Sequence, residues 1–263
     1  MSDIFSMRGR TALVTGGSVS IGRAIALGFA AHGASVAVQS AAKADAVFGL
    51  PDAARDTAVD IAKLGVAGHA IDADFAEPDG PRRTFDAAIA ALGRVDVLVL
   101  CASIQTRVAF DDITPAQLAL EMRINLEASI ELLQLAVPPM RERRWGRVLT
   151  IGSINQVRPE PQLATYAALK SAQCNIAMNL AKQSACDNVM INNLSPGIVA
   201  TERNRWRRKD AAEWQAIQQK AAGTVGRAAQ PSEMVGAALL LCSDAGSYIA
   251  GVDLMVTAGA HLP

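Results

Sequence analysis

The feature that most constrains this chain is a rhythm. Short apolar runs alternate with longer alanine-rich stretches from one end to the other. Residues 11–15, 35–39, 66–71, 95–101, 147–151 and 190–194 are brief, often β-branched and bounded by glycine or polar residues, and 251–256 reads as a last run of the same kind. Runs apolar on both faces suit strands of a parallel sheet covered on each side. The intervening stretches are long enough for crossover helices. One of them, 21–32, ends at Gly33, a C-terminal cap. Thr114-Pro115-Ala116-Gln117 combines a capping box with proline at the first helical position, and Gln230-Pro231-Ser232-Glu233 opens another apolar helix. The pattern predicts an α/β fold, a doubly wound parallel sheet flanked by helices on both faces with right-handed crossovers.

Composition removes several other classes. With 51% apolar and 19% charged residues over 263 positions, the chain can bury a core and is not disordered. Its 25 basic residues cancel its 25 acidic ones, which argues against nucleic acid as a partner. Neither repeat nor linker interrupts the sequence, so one domain over 1–263 is expected. The four cysteines form no CxxC pair and the three histidines lie far apart, so no metal site is expected and the thiols suit a reducing compartment. Residues 1–10 lack the apolar core of a signal peptide, and no run approaches the ~18 apolar residues of a membrane span. The expectation is a cytoplasmic protein without membrane contact.

Thr15-Gly16-Gly17-Ser18-Val19-Ser20-Ile21-Gly22 joins the first strand to the first helix. Glycines there let backbone approach a pyrophosphate, and the helix N-terminus stabilises the anion without a cationic side chain. No lysine follows the glycines, which disfavours a nucleoside-triphosphate loop. A plain tight turn is the other reading of the glycines alone.

Tyr166 and Lys170 stand four apart on a predicted helix and so share a face. A free phenol titrates near pH ~10, so using it as a base near neutrality needs about 4 kcal/mol of preference for the anion. An adjacent ammonium is one source. Ser153 closes the fifth predicted strand, where its hydroxyl can hydrogen-bond a substrate oxygen. Taken one at a time, these residues read as a surface pair and a turn former; it is their combination that points to proton transfer.

The glycine turn, Ser153 and the Tyr166-x-x-x-Lys170 spacing together resemble the short-chain dehydrogenase/reductase family, and further matches extend over nearly the full length. Thr15, Gly16 and Gly22 fit its TGxxxGxG turn, Asn125 its helix asparagine, and 196–201 its PGxxxT segment. The resemblance implies a Rossmann-like NAD(P)-dependent oxidoreductase that moves hydride between nicotinamide and a carbonyl or secondary alcohol. Tyr166 would be the acid/base, Lys170 its partner and ribose ligand, Ser153 the carbonyl orienter and Asn125 the anchor of a water chain. The implied nucleotide site comprises Gly16, Ser18, Ser20, Ile21 and Gly22, then Ser40 and Lys43, Asp74 and Phe75 at the adenine, and Ala102. It continues through Tyr166, Lys170, Pro196, Gly197, Val199 and Thr201, with Thr201 and the Val199 backbone at the carboxamide. A homotetramer is expected by the same resemblance, with the segment 243–251 at a subunit interface.

Several positions depart from the family pattern. Ser20 replaces a glycine: with helical φ the serine is free to touch the cofactor, whereas with positive φ it is strained. Leu100-Cys101-Ala102-Ser103 replaces NNAG, removing the asparagines that steady the sheet and placing Ser103 where a glycine stands. Ser40 replaces the aspartate that holds the ribose of NAD, and Lys43 is either a 2′-phosphate partner or a solvated lysine, which tips the cofactor towards NADP over NAD. Arg203, Arg205, Arg207, Arg208 and Lys209 surround Trp206 within a substrate loop of about 196–230. Together with Asn155, Gln156 and Arg158 they suggest a mouth for a sugar acid, polyol or 3-oxoacyl substrate; a solvated helix face is the other reading. The rival function is a dinucleotide-binding sensor or scaffold that has lost catalysis.

Overall fold

The structure is a computed structural model that describes residues 3–221 and 225–263. Among the described residues, seven parallel strands form one sheet in the order β3-β2-β1-β4-β5-β6-β7. They are β1 (Thr11–Thr15), β2 (Ser35–Ser40), β3 (Gly68–Asp72), β4 (Val97–Leu100), β5 (Gly146–Ile151), β6 (Val189–Pro196) and β7 (Asp253–Val256). The helices are α1 (Ser20–Ala31), α2 (Ala42–Ala46), α3 (Ala53–Lys63), α4 (Gly80–Leu92), α5 (Pro115–Met122), α6 (Ala128–Glu142), α7 (Ala164–Ser184), α8 (Ala211–Ala221) and α9 (Val235–Cys242). This is the predicted doubly wound, Rossmann-like sheet.

Two apolar layers hold it together. Val14, Val36, Val38, Val99 and Leu149 face Ile25 and Phe29 of α1, Ile61 of α3 and Ala238 and Leu239 of α9. Their strand neighbours Leu13, Ala37, Leu98, Leu100 and Val148 face Phe85 of α4, Leu132 and Ala136 of α6, and Ala177 and Ala181 of α7. Alternate residues of each strand thus serve opposite layers, which explains runs that are apolar throughout. Full burial of a side chain such as Phe29 or Leu132 contributes about 2–3 kcal/mol.

Where boundaries differ from the sequence reading, the cause is tertiary. The fourth strand stops at Leu100 because the N–H groups of Cys101 and Ala102 turn to the Thr15 hydroxyl (3.0 and 3.1 Å), whose own proton goes to the Val99 carbonyl. Thr15 therefore ties β1 to β4 where the family's asparagines are missing. The last strand begins at Asp253 because Gly251, at φ +74°, turns the chain while its N–H bonds the Ile191 carbonyl. The capping box at Thr114 forms as expected. Gln230 opens a 3₁₀ turn, Pro231–Met234, ahead of α9.

The chain winds outward from β1 to β3 and then returns to β4 on the other side of β1. A crevice therefore opens beyond the C-terminal ends of β1 and β4, the usual ligand site of such sheets.

Candidate active site

The glycine turn lies at this crevice. Gly16 adopts φ +60°, and a Cβ there would lie 2.9 Å from the Ala102 backbone. A Cβ on Gly22 would meet the Gly16 carbonyl at 2.1 Å. Only glycine packs this turn so tightly against the end of β4. No side chain caps the N-terminus of α1, so its dipole end faces the crevice and suits an anion such as a pyrophosphate. The buried Gln39 side chain steadies the turn: it accepts the Gly16 N–H (3.1 Å) and donates to the Ala73 carbonyl (2.7 Å).

Ser20 takes the strained alternative, φ +53°. Its hydroxyl accepts the N–H of Glu202 at 3.0 Å. A left-handed non-glycine residue costs about 1–2 kcal/mol, and one neutral hydrogen bond returns about 1 kcal/mol, so the two nearly offset. Glu202 starts a 3₁₀ run, Glu202–Lys209, that follows Thr201. This segment lies within the predicted loop of 196–230, of which 222–224 fall outside the described residues.

At the far end of β2, Lys43 pairs with Asp74, whose other contact is the Ala76 N–H (2.8 Å). Burial pushes the Asp74 carboxyl up, but the hydrogen bonds from Lys43 and Ala76 outweigh it and hold the group below the usual carboxylate range. Lys43, the expected 2′-phosphate partner, thus makes its ion pair with Asp74. Phe75 is buried beside it. A carboxylate that sequence reasoning passed over stands nearby. Asp45 of α2 is 5% exposed, hydrogen-bonds the hydroxyls of Ser18 and Ser40, and leaves its Oδ2 without a partner. Burial raises its pKa. An acidic acceptor beside Ser18 and Ser40 suits the hydroxyls of a ribose. A glycine cradle, an uncapped helix and an orphaned acceptor thus all fit a dinucleotide.

The candidate proton-transfer residues lie on α7, at the end of β5 and between α5 and α6. Tyr166 and Lys170 are both buried on α7, which packs against residues 154–156 just beyond β5. Lys170 Nζ lies 5.9 Å from the centre of the Tyr166 ring. It donates to the Ile151 carbonyl (2.6 Å) and to Gln173 Oε1 (3.1 Å). An ammonium has three N–H donors, so one remains for a phenolate or a ligand. Burial lowers its pKa to about 8. Ser153 Oγ accepts from the Asn155 N–H (3.2 Å), leaving its hydroxyl proton free to donate. Its backbone N–H goes to Gln156 Oε1 (2.8 Å), and the Gln156 amide donates to Asp253.

Asn125 lies fully buried in a π-helical segment, Arg123–Glu127, between α5 and α6. Its side chain is held by the Ile104 backbone, accepting at 2.8 Å and donating at 2.9 Å, which leaves its backbone carbonyl as the group that faces the neighbouring helix. A buried chain of protein groups links Lys170 to Asn125. Lys170 donates to Gln173, Gln173 Nε2 to Ser129 Oγ (2.8 Å), and Ser129 Oγ to the Asn125 carbonyl (3.3 Å). Gln173 and Ser129 carried no signal in the sequence, because their meaning depends on α6 and α7 lying side by side.

The PGxxxT segment is held by backbone. The Gly197 N–H bonds the Val256 carbonyl, and Val199 bridges to Ala229. The Asn204 amide donates to the Val199 carbonyl (2.7 Å), while the Thr201 N–H returns to Asn204 Oδ1 (3.0 Å). The arginines beyond it are largely engaged. Arg203 reaches Ser103, Arg205 pairs with Glu202, Arg207 faces Glu160 at 3.9 Å, and Arg208 donates to the Thr201 carbonyl. Arg158 donates to the carbonyls of Ala260 and Leu262. Arg205 and Arg207 thus meet carboxylates, whereas Arg203, Arg208 and Arg158 are held by neutral oxygens and keep their charge uncompensated.

The fold and this crevice define a dinucleotide-binding oxidoreductase, and comparison with known proteins makes that specific. A family profile described as short chain dehydrogenase matches residues 10–212. The chain is 30% identical over 258 residues to a 7alpha-hydroxysteroid dehydrogenase of Escherichia coli, covering 98% of this chain and 96% of that one. It is 30% identical to an L-rhamnose 1-dehydrogenase (NADP(+)) of Thermoplasma acidophilum, covering 97% and 98%. Its structure matches that of a 3-oxoacyl (acyl-carrier-protein) reductase from Agrobacterium tumefaciens with NADP bound, with TM-score 0.90, 39% identity and coverage of 97% and 96%. The chain belongs to the short-chain dehydrogenase family. It is an NAD(P)-dependent oxidoreductase acting between CH–OH and C=O groups of small molecules. No described helix is long and apolar enough to cross a membrane.

Proposed function

We propose that Tyr166 is the proton-transferring group and that the substrate is a small polar carbonyl compound or alcohol of the sugar-acid, polyol or 3-oxoacyl kind. The observation that carries the reading is the burial of Tyr166 and Lys170 on one face of α7 opposite the glycine turn. The nicotinamide nucleotide, when bound, supplies or accepts the hydride. The protein's part is to place groups and manage a proton. The Tyr166 hydroxyl gives its proton to a carbonyl oxygen being reduced, or takes one from an alcohol being oxidised. The spare N–H of Lys170 favours the phenolate, and the free proton of Ser153 holds the same substrate oxygen from the other side. Gln173, Ser129 and the Asn125 carbonyl hold the ammonium in place from behind. The polar side chain of Asn155, next to Ser153, supports a hydroxylated or acyl-carrying substrate over an apolar one, while Gln156 is held by the Ser153 N–H and Asp253.

The test is Tyr166→Phe with a panel of sugar acids, polyols and 3-oxoacyl thioesters, following nicotinamide absorbance. Turnover should fall about a thousandfold or more while nucleotide affinity stays within about twofold. Retained turnover refutes the assignment. A wild type that binds nucleotide but turns over nothing would favour the sensor reading, which the strained Ser20 turn supports.

The same reading takes 1–263 as one catalytic domain working in the cytoplasm as a homotetramer. A groove between α6 and α7, lined by Ile130, Leu133, Val137, Ile176 and Leu180, supports self-association, which sedimentation equilibrium would check.

A further inference from the structure

Two of the positions where this sequence leaves the family pattern, Ser20 and Ser103, lie on opposite lips of the crevice. Ser20 stands at the entrance to α1, beyond β1, and Ser103 stands beyond β4. Both are met by consecutive residues of the segment that arrives from β6. The Glu202 N–H donates to Ser20 Oγ at 3.0 Å. The Arg203 guanidinium donates to the Ser103 carbonyl at 2.6 Å and to Ser103 Oγ at 3.0 Å. A glycine at either position has no hydroxyl to offer. Ser20 also keeps a backbone conformation that glycine would adopt without strain, so the local cost is retained together with the bond.

The arriving segment is braced within itself. Asn204 ties Val199 to Thr201, and Arg208 donates to the Thr201 carbonyl at 2.9 Å. Arg205 adds a contact to Glu202 at 3.2 Å. Residues 199–208 are therefore tied to one another, and the two serines are where that segment meets the lips of the crevice.

We propose that Ser20 and Ser103 are positioning residues that latch the 199–208 strap across the mouth of the crevice. They fix Val199 and Thr201 at the nicotinamide end and make release of bound nucleotide wait for the strap to open. This rests on the proposed nucleotide site, but the latch itself has a readout that needs no ligand. The strap carries Arg203, Arg205, Arg207, Arg208 and Lys209, all trypsin sites that are cleaved when the segment detaches locally.

The experiment compares the wild type with Ser20→Gly, Ser103→Gly and the double variant in three measurements. Limited trypsin digestion of the ligand-free protein, with cleavage sites read by mass spectrometry, should show the double variant cut between 203 and 209 about tenfold faster, the effect of losing roughly two hydrogen bonds. Stopped-flow displacement of bound NADH and NADPH should show a release rate raised about fivefold or more. The melting temperature should stay within about 2 °C of wild type, because Ser20→Gly removes strain along with the bond. Ser20→Ala, which loses the bond but keeps the strain, should loosen the strap equally and melt lower. Cleavage and release both unchanged within twofold would overturn the proposal. Faster cleavage with unchanged release would overturn its claim on the nucleotide. A wild type that binds neither nucleotide would instead defeat the nucleotide site, leaving the latch to be judged on the proteolysis.

Discussion

The two walls of the crevice are built on different principles. On the β5–α7 wall, Tyr166, Lys170, Ser153 and Asn125 are buried side chains, and Lys170, Ser153 and Asn125 are held by specific hydrogen-bond partners. On the β1–β2 wall and the strap, the contacts are backbone N–H groups, glycine surfaces and partly exposed ion pairs such as Lys43–Asp74 and Arg205–Glu202. The first wall needs particular functional groups, because proton transfer depends on an acid of the right strength at the right atom. The second needs shape and dipole, which several residues can supply. Departures from the family pattern accordingly gather on the second wall and the end of β4: Ser20, Ser40 and Ser103 lie there, while the four proposed proton-transfer positions keep the expected types.

Substitutions on each wall can break or sharpen this contrast. The largest effect is expected for Gly22→Ala. The added Cβ would lie 2.1 Å from the Gly16 carbonyl, so backbone must move. Unfolding in urea should show a loss of about 1–3 kcal/mol, with nucleotide affinity down more than about tenfold. Wild-type affinity in that variant would mean the turn is not a tight cradle.

Next comes Lys170→Met, read against pH. With a folded pKa of about 8 and an ordinary value of 10.5, the folded and unfolded chains both carry the ammonium below about pH 8. Between those values only the unfolded chain binds the proton, so raising the pH favours the folded state, by about 3 kcal/mol in all. Wild type should therefore gain stability relative to Lys170→Met across that window, measured by denaturant titration at several pH values. Parallel profiles would show that the amine is not buried as described.

The smallest effect belongs to Asp45→Asn. Removing a negative charge beside Ser18 and Ser40 should raise affinity for NADPH relative to NADH about three- to tenfold in fluorescence titrations, because the 2′-phosphate no longer meets a buried carboxylate. An unchanged ratio would place the ribose elsewhere.

Much of the fold was legible in the chain. The seven apolar runs mark the seven strands to within a few residues, since burial on both faces leaves a continuous signature that does not depend on which strands become neighbours. The glycine turn and the Tyr166–Lys170 pair were readable because each is local, set by a tight loop or one helical turn. Ser20 was not. Its two alternatives differ by a single torsion, and its partner Glu202 is 182 positions away. The Lys43–Asp74 pair was not readable either, because nothing nearby in sequence predicts Asp74 as the partner of Lys43. Thr15, Gln39, Asp45, Gln173 and Ser129 are ordinary polar residues until strands and helices bring their partners within reach.

Order along the chain, with its alternation of strand-like runs and helical stretches, settled the architecture and singled out the proposed reacting groups, because hydrophobic period and functional-group chemistry belong to the residues themselves. Folding alone decided how those groups are used. It set the depressed pKa of Lys170, the commitment of Asn125 to Ile104, the buried acid at Asp45 and the two serines under the strap. Each depends on distance and dielectric between segments remote in sequence, quantities that exist only once the sheet has formed.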